Sequence, residues 1–197
     1  MSEVRLAAEL ELGRSPIRSA LSRLEGENWV KVLPQSGTFV REIDPLEVKE
    51  LAELRLLLET HAARTAAMNI SIEELRQLRR EFDALKARGV EDHNADFVAL
   101  DDHFHSSIYR AAGNRRIEEI LRNLKDLIRW VRAANATLPG RVKKSFLEMD
   151  LVLNAMEARD IEAAAEAMSR HIGNIADSFK TLPRNQLSKH GKNDHRR

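Results

Sequence analysis

The 197-residue sequence contains no cysteine. That excludes a disulfide scaffold, a thiolate zinc site and a cysteine nucleophile, and it fits a reducing compartment. Any metal or catalytic chemistry therefore falls to oxygen and nitrogen donors. Long apolar runs are missing too. No stretch approaches the ~18 uncharged residues of a membrane span, and Met1 to Leu12 interleaves Glu3, Arg5, Glu9 and Glu11 with its apolar residues, unlike a signal peptide. A cytoplasmic protein with no membrane partner is expected. Proline (5), glycine (8) and aromatic residues (5%) are sparse, while hydrophobic residues make up 43% and charged residues 32%. This is the balance of a helix-rich globular chain rather than a disordered or fibrous one.

Net charge is only +1, but it is unevenly spread. Residues 44–179 hold 20 Lys and Arg against 24 Asp and Glu, an acidic middle. Between Gly13 and Arg41, five cations (Arg14, Arg18, Arg23, Lys31, Arg41) face only Glu25 and Glu27, a modest basic patch. Residues 183–197 are basic and lack apolar periodicity, which predicts a solvated, disordered tail.

Residues 1–43 and 44–182 have different textures, with Asp44-Pro45 at the junction. In the first part Leu6, Ala7 and Leu10 mark a short helix. Ile17, Leu21 and Leu24 mark a second, started by Ser15-Pro16 and ended near Gly26. Residues 29–33 and 38–40 are β-branched and aromatic runs separated by Pro34-Gln35-Ser36-Gly37, which predicts a hairpin. Helix, turn, helix, hairpin is the order of a winged helix-turn-helix. In the second part the periodicity predicts an antiparallel all-α bundle of about six helices, over 45–68, 72–88, 92–112, 115–136, 141–158 and 160–181. Its breaks fall at Asn69-Ile70-Ser71, Gly89, Gly113-Asn114, Leu138-Pro139-Gly140 and Asp160. The chain as a whole is mainly α.

Arg14, Ser15 and Arg18 occupy the first turns of the second helix while its apolar face turns inward. A helix that reads DNA needs that arrangement, because its N-terminal end meets base edges and phosphates. Alone, these arginines favour a solvated basic helix; a hairpin with Ser36-Gly37 at its tip shifts the reading towards DNA. In the bundle, Phe97, Asp101, His105, Ile108 and Ala112 recur at three- and four-residue steps, placing a carboxylate and an imidazole one turn apart in an apolar stripe. His171 sits in a similar stripe with Ala164, Met168 and Ile175. Either Asp101 and His105 form a buried ion pair, or these side chains hold a ligand. Arg55, Arg129 and Arg132 are long cations in core-facing helices, able to meet a ligand carboxylate or simply to snorkel to the surface. Asn174, one turn after His171, is a candidate pocket donor. No general base, oxyanion device or nucleophile accompanies these residues, so an enzyme is not expected.

The run from Leu6 to Val40, LAAELELGRSPIRSALSRLEGENWVKVLPQSGTFV, closely resembles the winged helix-turn-helix of GntR-family transcription regulators. Leu6-Ala7, Arg14, Pro16, Arg18, Ala20-Leu21, Arg23-Leu24 and Gly37 carry the match. The remainder is similar to the FadR-type C-terminal effector domain, FCD. That match is carried by Arg55 through Glu59, Asp101-x-x-Phe104-His105, Ala112-Gly113-Asn114, Ala158-Arg159-Asp160 and Arg170-His171-Ile172. The resemblance implies a homodimeric regulator that contacts a double-stranded DNA operator through Arg14, Ser15, Pro16, Arg18, Ser36 and Gly37. It also implies a bundle that binds a small organic or sugar acid. For Asp101, His105 and His171 it implies a site for one divalent metal, zinc or nickel.

The chain departs from the family pattern at several places. The family's first helix has no counterpart before Ser2-Glu3. Glu11 stands for the usual turn glycine, Gly13 for the usual serine and Ser36 for the wing arginine. Met149 stands where the metal site's third histidine is usual. A winged helix-turn-helix without its first helix leaves a second reading open, a helical ligand-binding or interaction module that does not bind DNA.

Overall fold

The computed structural model describes residues 2–33, 36–42 and 44–180. The predicted basic tail, and Pro34 and Gln35 of the hairpin turn, lie outside them. The described chain divides into two compact units, with the boundary between Asp44 and Pro45.

In the first unit, α1 (Glu3–Glu9) is capped by Ser2, whose hydroxyl accepts from the Arg5 amide. The helix α2 (Arg14–Gly26) starts from Gly13, which has no side chain to cap it. Between them Glu11 adopts φ 54°, the left-handed conformation that glycine takes without a Cβ penalty. Strands β1 (Val30–Leu33) and β2 (Gly37–Val40) pair antiparallel with Val30 opposite Val40 and Leu33 opposite Gly37. Gly37, at φ 102°, allows the turn. Glu25 of α2 accepts from the Val32 amide at 3.0 Å and so ties the hairpin to the helix. Ile17, Leu21 and Val30 form the small core, while Val4, Leu10 and Leu12 stay exposed.

The second unit is a bundle of α3 (Pro45–Asn69), α4 (Ile72–Arg88), α5 (Asn94–Ala111), α6 (Arg115–Asn123), α7 (Lys125–Ala136), α8 (Arg141–Glu157) and α9 (Ile161–Lys180). A single 3-10 turn, Val90–Asp92, precedes α5. Caps appear where the sequence signals them: Ser71 accepts from the Glu74 amide, and Asn114 from Arg116 and Ile117. The predicted single helix over 115–136 is instead two, broken at Leu124 (ψ 0°). No glycine or proline marks that break, so periodicity runs through it.

The longest packing in the bundle is α3 against α9. Ala62, Ala63, Ala66 and Ala67 on α3 and Ala164 and Ala165 on α9 are buried, and side chains this small let the two backbones approach closely. Phe82 bridges layers, with ring centroids 5.7 Å from Phe104 and 5.1 Å from Phe146. Arg79 fastens α4 to α8 through Asp150 at 2.6 Å and Glu157 at 2.7 Å.

Candidate functional site

Two places carry chemistry, one in each unit. On α2, Arg14 and Arg18 are exposed and one turn apart, so they lie on the same side of the helix, along the edge of the stripe in which Ile17 and Leu21 are buried. Ser15 and Pro16 fill the first turn between them, and Ser36 and Gly37 stand at the end of the hairpin. Arg18 is paired with Glu3 of α1 at 3.0 Å.

In the bundle, α3, α5, α7, α8 and α9 bring buried polar groups together. His105 lies on α5, wholly buried, with Nδ1 2.7 Å from Glu59 of α3. His171 lies on α9, also wholly buried, with Nδ1 2.9 Å from Glu148 of α8. A carboxylate can only accept, so each neutral imidazole carries its hydrogen on Nδ1 and presents a lone pair at Nε2. Neither Nε2 has a hydrogen-bond partner. One ligand atom from each of Asp101, His105 and His171 lies within 4.8 Å of the others.

The two carboxylates behind the imidazoles are themselves held. Glu59 accepts from Arg55 Nε at 2.5 Å, one turn back on α3. Glu148 accepts from Asn174 Nδ2 at 3.0 Å and from Arg141 Nη1 at 3.2 Å. Burial pushes the His105 imidazole down to about 4, and Arg132 adds to that against the pull of Glu59 and Asp101. His105 is therefore neutral at pH 7, and Arg55 is the counter-charge that keeps Glu59 ionised. Burial works against the Glu59 carboxylate, yet its cationic surroundings hold it well below the usual range. Burial likewise opposes ionisation of Glu148, and His171 and Arg141 outweigh it.

The expected Asp101–His105 pair is not a hydrogen bond. His105 Nε2 stands 3.8 Å from Asp101 Oδ1, and the close partner of Asp101 is Arg132 of α7, Nε to Oδ2 at 3.0 Å. Arg132 also reaches Tyr109 at 3.4 Å. Both line a cavity of about 170 Å³ with Asp102, Arg110, Arg122 and Lys125.

The structure thus brings Asp101, His105, His171, Arg55, Arg132 and Asn174 into one network. Arg129 is not part of it: one turn before Arg132, it points outward and is exposed. Met149 is fully buried on α8, and it is the adjacent Glu148 that touches His171. Sequence reasoning missed Glu59 and Glu148 as members of the cluster. Glu59 had a signal, since Val48, Leu51, Ala52, Arg55, Glu59 and Ala62 form one stripe in which an (i, i+4) cation and carboxylate interrupt apolar residues. Glu148 had none at helical spacing, because its partners come from another helix.

A hairpin beside a basic helix, followed by a bundle whose buried donors converge, defines a DNA-binding regulator with a ligand-binding domain. Residues 50–174 match the FCD domain family, and residues 1–40 match the family described as bacterial regulatory proteins, gntR family. The chain belongs to the GntR family of transcription regulators, in its FCD-bearing, FadR-like branch, and is not an enzyme. The HTH-type transcriptional repressor RspR of Escherichia coli K12 is 25% identical over 185 residues, 92% of this chain and 80% of that protein. The Nta operon transcriptional regulator of Aminobacter aminovorans is 30% identical over 132 residues, covering 67% and 62% of the two chains. Among solved structures, a GntR regulator from Rhodococcus sp. RHA1 shares the fold at a TM-score of 0.74 and 19% identity, over 93% of this chain and 88% of that one. The metal-free FCD domain of TM0439 matches at a TM-score of 0.60 and 24% identity, over 70% of this chain and 94% of that one. The match of residues 1–40 sets aside the reading of a bundle without DNA binding. Among the described residues no helix is long and apolar enough to cross a membrane.

Proposed function

We propose that the protein is a cytoplasmic homodimer that grips a double-stranded operator and is controlled from the bundle. Arg14, Ser15, Pro16 and Arg18 on α2, with Ser36 and Gly37 on the wing, contact the DNA. The cluster on α3, α5, α7, α8 and α9 binds a small organic or sugar acid beside one divalent ion, zinc or nickel. The observation that carries this is the convergence of two buried imidazole Nε2 atoms without hydrogen-bond partners, on His105 and His171, with the Asp101 carboxylate, whose Oδ2 is ion-paired to Arg132. Lone pairs left this way in a dry interior are costly unless a cation meets them.

Asp101, His105 and His171 would hold the ion, with Glu59 and Glu148 fixing the two rings from behind. A bound ion supplies a fixed positive charge for an effector carboxylate. The chain adds its own donors. Arg55 Nη2 is buried without a partner, and Arg132 and Tyr109 line the neighbouring cavity. Exposed Leu46, Leu54 and Leu57 along α3 give apolar area that a second copy would cover.

Calorimetric titration of the zinc-loaded protein with a panel of dicarboxylates, tricarboxylates and aldonic acids tests the effector reading. At least one acid should bind, and it should change the protein's affinity for a duplex selected from a random pool. If every acid that binds leaves DNA affinity unchanged, control from this cluster is wrong.

A further inference from the structure

The guanidinium of Arg18 is engaged before any DNA arrives. Its Nε stands 3.3 Å from both oxygens of Glu3, and its Nη2 stands 3.0 Å from Oε2. The contact crosses from α1 to α2, so it fixes the side chain relative to the whole reading surface rather than along one helix. The hydrogen bond from Arg18, and after it the charges of Arg18 and Arg14, hold the Glu3 carboxyl below its usual range.

A guanidinium offers two edges for a paired bond: the side edge, Nε with Nη2, and the end fork, Nη1 with Nη2. Glu3 occupies the side edge. The end fork stays open and has the spacing that meets O6 and N7 of guanine. A free arginine must give up rotamer freedom to hold that pose, and an arginine already braced gives up less. Arg14, one turn earlier, has no such brace from α1.

We propose that Glu3 is a positioning residue for sequence reading: it braces Arg18 by the side edge so that the end fork reads a guanine at one base pair of the operator. The inference rests on α2 being the reading helix, and Arg18→Ala tests that placement separately from Glu3. Glu3→Gln removes the charge while keeping the side chain's length, so the brace weakens with little change in shape.

The experiment uses full-length protein and a duplex selected by the wild type from a random pool. Fluorescence anisotropy then gives affinities for that duplex and for each single base-pair change in it, for wild type, Glu3→Gln and Arg18→Ala, with a melting curve for each. Glu3→Gln should lose about tenfold of discrimination at one G·C pair, the same pair at which Arg18→Ala loses it, with other positions, salt slope and melting unchanged. Tighter binding of Glu3→Gln to every duplex alike would make Glu3 only an anion competing with phosphate, and would overturn the proposal. So would a position-specific loss in Arg18→Ala that Glu3→Gln does not share, or a fall for all duplexes together with a lower melting temperature. If Arg18→Ala loses no discrimination anywhere, the placement of the reading helix fails first.

Discussion

Glu59 shows how a single side chain can hold a buried site together. It is wholly buried, accepts from Arg55 and orients His105. Replacing it with Ala strands the Arg55 charge in the interior, and breaking a buried pair from one side costs about 3–5 kcal/mol. Urea unfolding of Glu59→Ala should show that loss, and most of it should return in the double variant Arg55→Met/Glu59→Leu, which removes both charges. Glu11 makes the opposite point, because here the chain carries strain. At φ 54° its Cβ crowds the backbone, so Glu11→Gly should raise the stability of the first unit by about 1 kcal/mol, read by thermal melting. The sequence showed Glu11 as an odd residue at a turn, but not that the backbone would keep the glycine conformation regardless.

At the scale of elements, most of the architecture was legible. The helical stripes, the Ser71 and Asn114 caps and the alternation of the hairpin each follow from a local rule, and apart from 115–136 the elements formed where those rules placed them. The break at Leu124 was not legible, since no backbone-special residue lies there. The partners of His105 and His171 were hidden for another reason: Glu59 and Glu148 meet them across helices, and periodicity describes one helix at a time. Two predictions belong here. If buried Met149 of α8 borders the proposed metal site, its soft thioether is a poor zinc ligand there and Met149→His should tighten zinc binding in a calorimetric titration. On α2, Arg14→Ala should cost about 1–3 kcal/mol of affinity for a selected duplex if Arg14 reads a base. Arg14→Ala/Arg18→Ala should also flatten the salt dependence, because fewer counterions are then released.

For the whole molecule, the two units differ in how much holds them. Among the described residues the first buries few apolar side chains, chiefly Ile17, Leu21 and Val30, whereas the bundle buries aromatic, aliphatic and alanine layers from seven helices. Small cores give small stabilities, and a ligand that binds only the folded form adds to them by mass action. Amides of α2 should therefore exchange hydrogen faster than those of α3 and α9, and should slow when a selected duplex is added. Equal protection of both units in free protein would contradict this.

The buried cluster joins these scales, since residue chemistry, cross-helix packing and the proposed regulation all run through Asp101, His105 and His171. Calorimetric titration of the full chain with zinc, comparing wild type with His171→Gln, addresses it directly. Wild type should take up one zinc per chain, and His171→Gln should bind at least about tenfold more weakly, as loss of an oriented donor does at metal sites. Zinc uptake that is equal in the two proteins, or that is absent from the wild type, would contradict a ligand centre built on these three residues.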